Sequence, residues 1–392
     1  MIPDPAQAAA IDVPALHAWL REQRREMVDD LAEYVNHETP STDKALLDAG
    51  LAWLERWLFT RLGAPARRRR MDGGRYGDVL VLDYPGSGTG PLLFLAHYDT
   101  VWEAGTLAAW PFTVVGGRAT GPGVLDMKAG LVQAVWGLHA LDALGLPRPP
   151  VRVLLNGDEE IGSPASRPLI EEAATDAELS LVFEASANGA LKTGRKGVGM
   201  YRLHARGIEA HAGLEPAQGA SAIGALAALV PELHALSDPA AGTTVNVGTF
   251  HGGTRGNVVA GYAYCDIDVR AATQAEAERL EKALDALTSP DPRVTLTLEG
   301  GWNRPAMERA ETSGRLMALT RALARQLDVD LGEVTVGGAS DGNFVAALGR
   351  PVLDGLGAVG AGAHARHEHV LVDAMAERAA LSAGLCAVYA SG

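Results

Sequence analysis

The sequence predicts an α/β protein: a three-layer domain, with helices on both faces of a sheet, interrupted by a smaller α+β domain of ferredoxin-like order. Three observations carry that expectation. The unbroken apolar run at 92–96 and the largely apolar runs at 151–155 and 179–183 suit strands buried on both faces. Stretches with apolar residues at helical spacing lie between them, the alternation that packs helices against a sheet. Between 196 and 303 apolar and polar residues alternate instead, in the order β-α-β-β-α-β, which suits a small sheet covered by two helices.

Taken in order, residues 16–35 suit one charged amphipathic helix, 78–82 a strand and 92–96 a second strand. Past the turn-rich Arg118-Ala119-Thr120-Gly121-Pro122-Gly123, a helix is expected from about Asp126, with apolar residues of 127–144 at helical spacing. A strand at 151–156, a helix at 165–173 and a strand at 179–183 complete this part. The insert offers a strand at 198–206, a helix at 219–236, strands near 244–249 and 263–270, a charged helix at 274–287 and a strand at 293–298. The first style then returns, with a helix at 311–327, a strand at 333–336 and a last helix at 372–389. The expected division is therefore 1–195 and 304–392 as one domain in two parts, with 196–303 inserted. The glycine-rich stretch 355–362 suits a mobile loop.

The chain has 392 residues, 47% of them hydrophobic, enough to bury the cores of two domains. Its apolar runs are interrupted by glycine or charge and are too short to cross a bilayer. No basic start followed by an apolar core marks a signal peptide near the N-terminus. Cys265 and Cys386 are the only cysteines, which suits a reducing, cytoplasmic setting and leaves oxygen and nitrogen to hold any metal. A net charge of −14 argues against nucleic acid as a partner. The one basic cluster, Arg67-Arg68-Arg69-Arg70, suits a solvated connection between a helix and a strand. An anionic substrate stays open, because a local group of arginines outweighs a distant net charge.

Chemistry gathers at the predicted strand ends. The run 92–96 delivers His97, Tyr98 and Asp99 to a carboxyl edge, where open α/β sheets bind ligands. His97 and Asp99 share one face of an extended chain, so one can bind a metal while the other supports it from beside. Asp126 stands where a helix begins. Glu159 and Glu160 follow the strand at 151–155 and point in different directions, one able to ligate and the other to act as a base. Glu184 ends the run at 179–183, and His364 follows Gly360-Ala361-Gly362-Ala363. Two histidines and three carboxylates, one able to bridge, would give each of two zinc ions a histidine, a terminal carboxylate and a share of Asp126. That is the donor set of a two-metal hydrolase.

On these residues the sequence resembles the zinc-dependent aminoacylase and carboxypeptidase family, in particular its glutamate carboxypeptidase branch. The motifs that carry the resemblance are Ala96-His97-Tyr98-Asp99-Thr100-Val101, Gly121-Pro122-Gly123-Val124-Leu125-Asp126-Met127-Lys128-Ala129-Gly130, Asp158-Glu159-Glu160-Ile161-Gly162-Ser163, Ala210-His211-Ala212-Gly213 and Gly337-Gly338-Ala339-Ser340-Asp341-Gly342. It implies a zinc-peptidase-type catalytic domain with an inserted lid and dimerisation domain, and two zinc ions per subunit, with cobalt or manganese as alternatives. His97 and His364 would each bind one zinc, Asp126 would bridge, and Glu160 and Glu184 would complete the two shells. Asp99 would orient His97, Glu159 would be the general acid/base, and a cis peptide would follow Asp126. The segment His364-Ala365-Arg366-His367-Glu368-His369 departs from the family's usual ending; spacing to Glu368 favours His364, with His367 and His369 as alternatives.

The resemblance also implies a homodimer in which His211 reaches the partner subunit's site and helps hold the oxyanion, with Asn257 contacting substrate. Arg304 and Arg270 match arginines of the same branch, and the arginine fork suits a substrate carboxylate. Arg270 equally suits an ordinary strand-end ion pair, so Arg304 is the better candidate for a free α-carboxylate. Backbone N–H groups of 337–342 can face the same anion. The expected reaction cuts an amide beside a free carboxylate in a small acylated amino acid or short peptide and releases a C-terminal amino acid, with glutamate favoured. Alternatives are an N-acyl amino acid deacylase of the acetylornithine deacetylase, desuccinylase or aminoacylase type, a dipeptidase, or a non-enzymatic binding protein on the same fold.

Overall fold

The computed structural model describes residues 2–391. The chain divides into two compact units. One comprises the stretch through Thr193, Arg309–Thr335 and the stretch from Ser340; the other comprises Gly194–Glu308 with Val336–Ala339.

The first unit is built on a six-stranded sheet in the order Arg67–Met71, Val79–Tyr84, Val151–Asn156, Leu92–His97, Leu179–Val182, Val352–Leu353. The last four run parallel, and the first two pair antiparallel. Alternation along Leu92–His97 shows why its sequence is apolar throughout. Leu92, Phe94 and Ala96 join the main core with residues of the helices Ala129–Ala143 and Val372–Ala390. Leu93 and Leu95 are equally buried outside that cluster, on the face where the helices Arg167–Thr175 and Gly342–Ala347 pack on the sheet. Covered on both sides, this strand carries its first polar residue, His97, where it leaves the sheet.

The helix Ala129–Ala143 is apolar on most sides, Gln133, His139 and Asp142 apart, because it lies inside the unit, between the sheet and Val372–Ala390. Gly137 permits that close packing: a Cβ there would lie 2.8 Å from the Ala379 carbonyl oxygen.

Several expectations are corrected. Residues 16–35 are not one helix; Val13–Glu22 and Arg24–Val35 meet at Gln23, whose φ and ψ of −85° and 2° break the ladder. The four arginines are not a connection but the edge strand Arg67–Met71. Its alternating side chains find acids on both sides: Arg68 pairs with Glu55 and Arg70 with Asp78 at 2.8 Å, while Arg69 reaches Glu172 at 2.9 Å. The stretch 355–358 is not a surface loop: its residues are buried, and the buried guanidinium of Arg378 donates to the carbonyls of Gly355 at 2.6 Å and Gly357 at 3.2 Å. A second small sheet of Thr113–Val115, Arg118–Thr120, Gly360–Ala361 and His369–Leu371 was invisible in the sequence, its strands being too short to show a period.

The second unit is a four-stranded antiparallel sheet in the order Thr244–Gly252, Tyr262–Ala271, Gly197–Arg206, Thr295–Arg304. The helices Ala222–Ala235 and Gln274–Asp285 pack on it. Alternate residues Tyr201, Leu203 and Ala205 are in its core with Cys265 and Ile267, which accounts for the alternating pattern of the insert. The strand expected at 293–298 runs on to Arg304, turning through Gly300 at φ +110°, where a Cβ would lie 2.1 Å from the Met200 carbonyl oxygen. The helix expected at 219 starts at Ala222, where the Ser221 side chain accepts the Gly224 N–H.

Candidate metal centre

In the first unit, five predicted residues meet at the carboxyl edge of the parallel strands. His97 ends Leu92–His97 and is 2% exposed. Its Nδ1 lies 3.0 Å from the Asp99 carbonyl oxygen and 3.4 Å from Asp99 Oδ1, so Nδ1 carries the hydrogen. Nε2 faces Asp126 Oδ1 and Glu184 Oε1, each at 3.3 Å. His364, held at φ +61° after Gly362, places Nε2 at 3.4 Å from Asp126 Oδ2 and 3.1 Å from Glu160 Oε2. One oxygen of Asp126 thus faces each imidazole. The peptide bond after Asp126 is cis.

Asp99 joins these pieces. It is 1% exposed and accepts the Ser41 hydroxyl at 2.7 Å and the backbone N–H groups of Glu159 at 3.2 Å and Glu160 at 3.1 Å. One carboxylate therefore orients His97 and fixes the loop that carries two acids. Asp158 anchors the far end of that loop, accepting the N–H groups of Ala165 and Ser166 at 2.7 and 3.1 Å.

The electrostatics follow from crowding of like charge. Burial works against protonating His97, yet hydrogen bonds to Asp126, Asp99 and Glu184 raise it well above the ordinary imidazole value. Hydrogen bonds to Asp126 and Glu160 push His364 up to about 11. Burial and the neighbouring Asp126 push Glu160 up to about 7. Asp126 itself is held well below the carboxylate range: burial opposes this, but the imidazoles of His364 and His97 win. Such a cluster asks for a cation. Glu160 Oε1 is buried with no hydrogen-bond partner among the described residues, and the donors are imidazole and carboxylate only, which suits a divalent ion such as zinc. His97, Asp126 and Glu160 offer ligand atoms within 4.8 Å of one another, as do His97, Glu159 and Glu184.

Sequence reasoning did not assign Ser41, Asp158, Trp102, Lys128 or Glu368. Lys128 is buried, donates to the carbonyls of His37 at 2.8 Å and Tyr34 at 3.4 Å, and is pushed by burial down to about 7. Glu368 lies in the His364 segment, where its spacing drew notice but its partners, more than two hundred residues away in sequence, gave no local signal.

The second unit holds the other predicted residues. His211 Nδ1 accepts the N–H groups of Gly213 and Leu214, both at 3.1 Å, which leaves Nε2 as its donor. Asn257 is beside it, its carbonyl accepting the Ala212 N–H at 3.0 Å. Arg270 makes two bonds of 2.8 Å to Asp268, the strand-end ion pair. Arg304 is 4% exposed at the end of Thr295–Arg304. The stretch 337–342 is divided, Ser340 to Gly342 belonging to the first unit, and two of its backbone N–H groups expected to face an anion are taken: Ser340 donates to Asn343 Oδ1 at 2.9 Å and Gly342 to Ser340 Oγ at 3.1 Å.

Residues 93–387 match the model of peptidase family M20/M25/M40. The chain belongs to that family. Two relatives sharpen the placement of this M20 chain. It is 31% identical to carboxypeptidase G2 of Pseudomonas sp. (strain RS-16) over 373 residues, covering 93% of this chain and 89% of the relative. It is 30% identical to the succinyl-diaminopimelate desuccinylase of Variovorax paradoxus (strain S110) over 315 residues, covering 72% and 78%. Among solved structures, the aminopeptidase PepT of Bacillus cereus ATCC 10987 superposes with a TM-score of 0.76 at 21% identity, covering 94% of this chain and 99% of that one, a likeness of fold. The chain is a metallopeptidase of the M20 type, α/β in fold. Among the described residues no helix is long and apolar enough to cross a membrane.

Proposed function

We propose that the protein cuts an amide bond beside a free carboxylate and releases a C-terminal amino acid, glutamate being favoured, with two zinc ions per subunit. The observation that carries this reading is Asp126, with one carboxylate oxygen turned to each imidazole. His97 with Glu184 and His364 with Glu160 are the two half-sites on either side of it. The pair of ions would polarise the scissile carbonyl and acidify the attacking water. Glu159 takes the proton of that water and returns it to the leaving amine; its backbone is held at Asp99. His211 donates Nε2–H to the oxyanion, Asn257 contacts the substrate, and Arg304, with Arg270 as the second candidate, takes the free carboxylate. Release of a C-terminal amino acid is supported by 31% identity to carboxypeptidase G2 over 93% of the chain; the preference for glutamate rests on the motifs that resemble the glutamate carboxypeptidase branch.

The same reading takes 1–195 with 304–392 as the catalytic domain and 196–303 as a lid and dimerisation domain, in a cytoplasmic homodimer. Both cysteines, Cys265 and Cys386, are free and buried, in keeping with a reducing compartment.

Glu159→Gln tests the mechanism. Turnover should vanish while bound metal stays at two equivalents; near-native turnover would sink the assignment. The second reading, an N-acyl amino acid deacylase, rests on the 30% identity to a desuccinylase. A panel of acyl-glutamates, succinyl-diamino acids and dipeptides decides between them by kcat/KM.

A further inference from the structure

Glu368 is fully buried, and its four hydrogen bonds are all to uncharged N–H donors. Oε1 accepts from the backbone of Leu125 at 2.8 Å and Asp126 at 3.1 Å; Oε2 accepts from the backbone of Gly123 at 3.2 Å and from the Trp102 indole at 3.0 Å. The three amides converge because the turn Val124–Lys128 is not regular: Gly123 sits at φ +69°, and Asp126 and Met127 leave helical values. Inside a packed unit such N–H groups need an acceptor, and an inward-facing set of them suits an anion.

The other end of Glu368 is equally determined. Its own N–H donates to Ala365, and the Ala365 N–H to Gly362, closing the turn that presents His364. The next residues, His369 and Val370, pair with Thr120 and Ala119. Outside this, the Arg366 guanidinium lies 5.2 Å from the ring centre of Trp102 and 5.7 Å from that of Trp110, and those rings meet edge to face at 5.0 Å. A single carboxylate therefore ties the backbone of Asp126 to the turn of His364.

We propose that Glu368, braced by Trp102, is a positioning residue that sets Asp126 and His364 at the separation needed to hold two metal ions together. The inference rests on the dinuclear reading above, since without metal the separation has nothing to serve. Glu368→Gln is the sharp probe: it keeps the shape, but whichever way the amide lies, its NH2 confronts N–H donors on one side. Trp102→Phe removes one donor and keeps an aromatic ring beneath Arg366.

The experiment titrates metal-stripped protein with Zn2+ in competition with a chromophoric chelator, alongside the melting temperature of the metal-free form. The wild type should bind two equivalents. Glu368→Gln should lose about 10–100-fold in affinity for at least one of them, and Trp102→Phe about 3–10-fold, the worth of one hydrogen bond. Glu368→Asp, which keeps the charge, should fall between the wild type and Glu368→Gln. Wild-type affinity for both equivalents in Glu368→Gln overturns the proposal, even if its metal-free form melts earlier, because Glu368 would then serve only the fold. Should Glu368→Gln not fold, unchanged zinc affinity in Trp102→Phe overturns it. A wild type that takes up fewer than two equivalents would instead remove the dinuclear reading beneath it.

Discussion

Gly130→Ala should damage the metal centre more than the fold. Gly130 lies in the first turn of Ala129–Ala143, and a Cβ there would stand 2.0 Å from the Phe183 carbonyl oxygen, 3.1 Å from its carbon and 3.3 Å from Gly357 Cα. Close carbon–oxygen contacts in proteins run at roughly 3.3 Å, so helix and strand end must part by about 1.3 Å. The obstacle is backbone and cannot rotate away. Over-packing costs about 1–3 kcal/mol, offset by about 1 kcal/mol from alanine's better helix propensity. A net loss of about 0–2 kcal/mol lowers the melting temperature by at most roughly 8 °C for a unit of this size. The next residue, however, is Glu184, whose Oε1 is 3.3 Å from His97 Nε2. Metal–ligand distances tolerate only about 0.2 Å, and a misplacement of about 1 Å can cost about 100-fold in rate. Metal content by atomic emission, kcat and calorimetry on one preparation test the chain of reasoning. Gly224→Ala is the control, since its added Cβ meets nothing closer than 3.4 Å. Full metal content and native kcat in Gly130→Ala, with melting unchanged, would refute the argument.

Asp99→Ala should lower zinc affinity or kcat by about 10–100-fold, measured by chelator competition and initial rates, because it frees the His97 ring and the Glu159 loop together. Asp78 is partly buried, which raises its pKa, but Lys44, Arg70 and the Gly73 N–H hold it below the usual carboxylate value. A group depressed in the folded state contributes stability above its unfolded pKa and loses it as pH falls through the folded one. Asp78→Asn should therefore be less stable by about 1–3 kcal/mol at pH 7, a gap in urea unfolding that narrows below about pH 4; a gap independent of pH would refute the pairing. Arg378→Met should destabilise by about 1–3 kcal/mol for each buried carbonyl it leaves unpaired, those of Gly355 and Gly357 being at stake, as read by guanidinium unfolding.

By itself the sequence determined the elements whose period or unbroken apolar run is long enough to see: the buried strands, the helix after Asp126, and the β-α-β-β-α-β order of the insert. It also placed His97, Asp126, Glu160 and Glu184 at strand ends or helix starts, where a buried apolar run gives out. Tertiary structure alone decided the rest. Nothing local says that the two oxygens of Asp126 divide between His97 and His364, or that Arg67–Met71 is an edge strand whose Arg68, Arg69 and Arg70 are each matched by an acid. The glycines at 355–358 promise freedom in isolation, yet the arriving Arg378 side chain takes their carbonyls. Glu368 reaches its four donors across more than two hundred residues of chain. Periodicity records which way a residue faces along its own element, whereas a buried carboxylate is satisfied by whatever the folded chain brings to it, and that pairing exists only once the elements have packed.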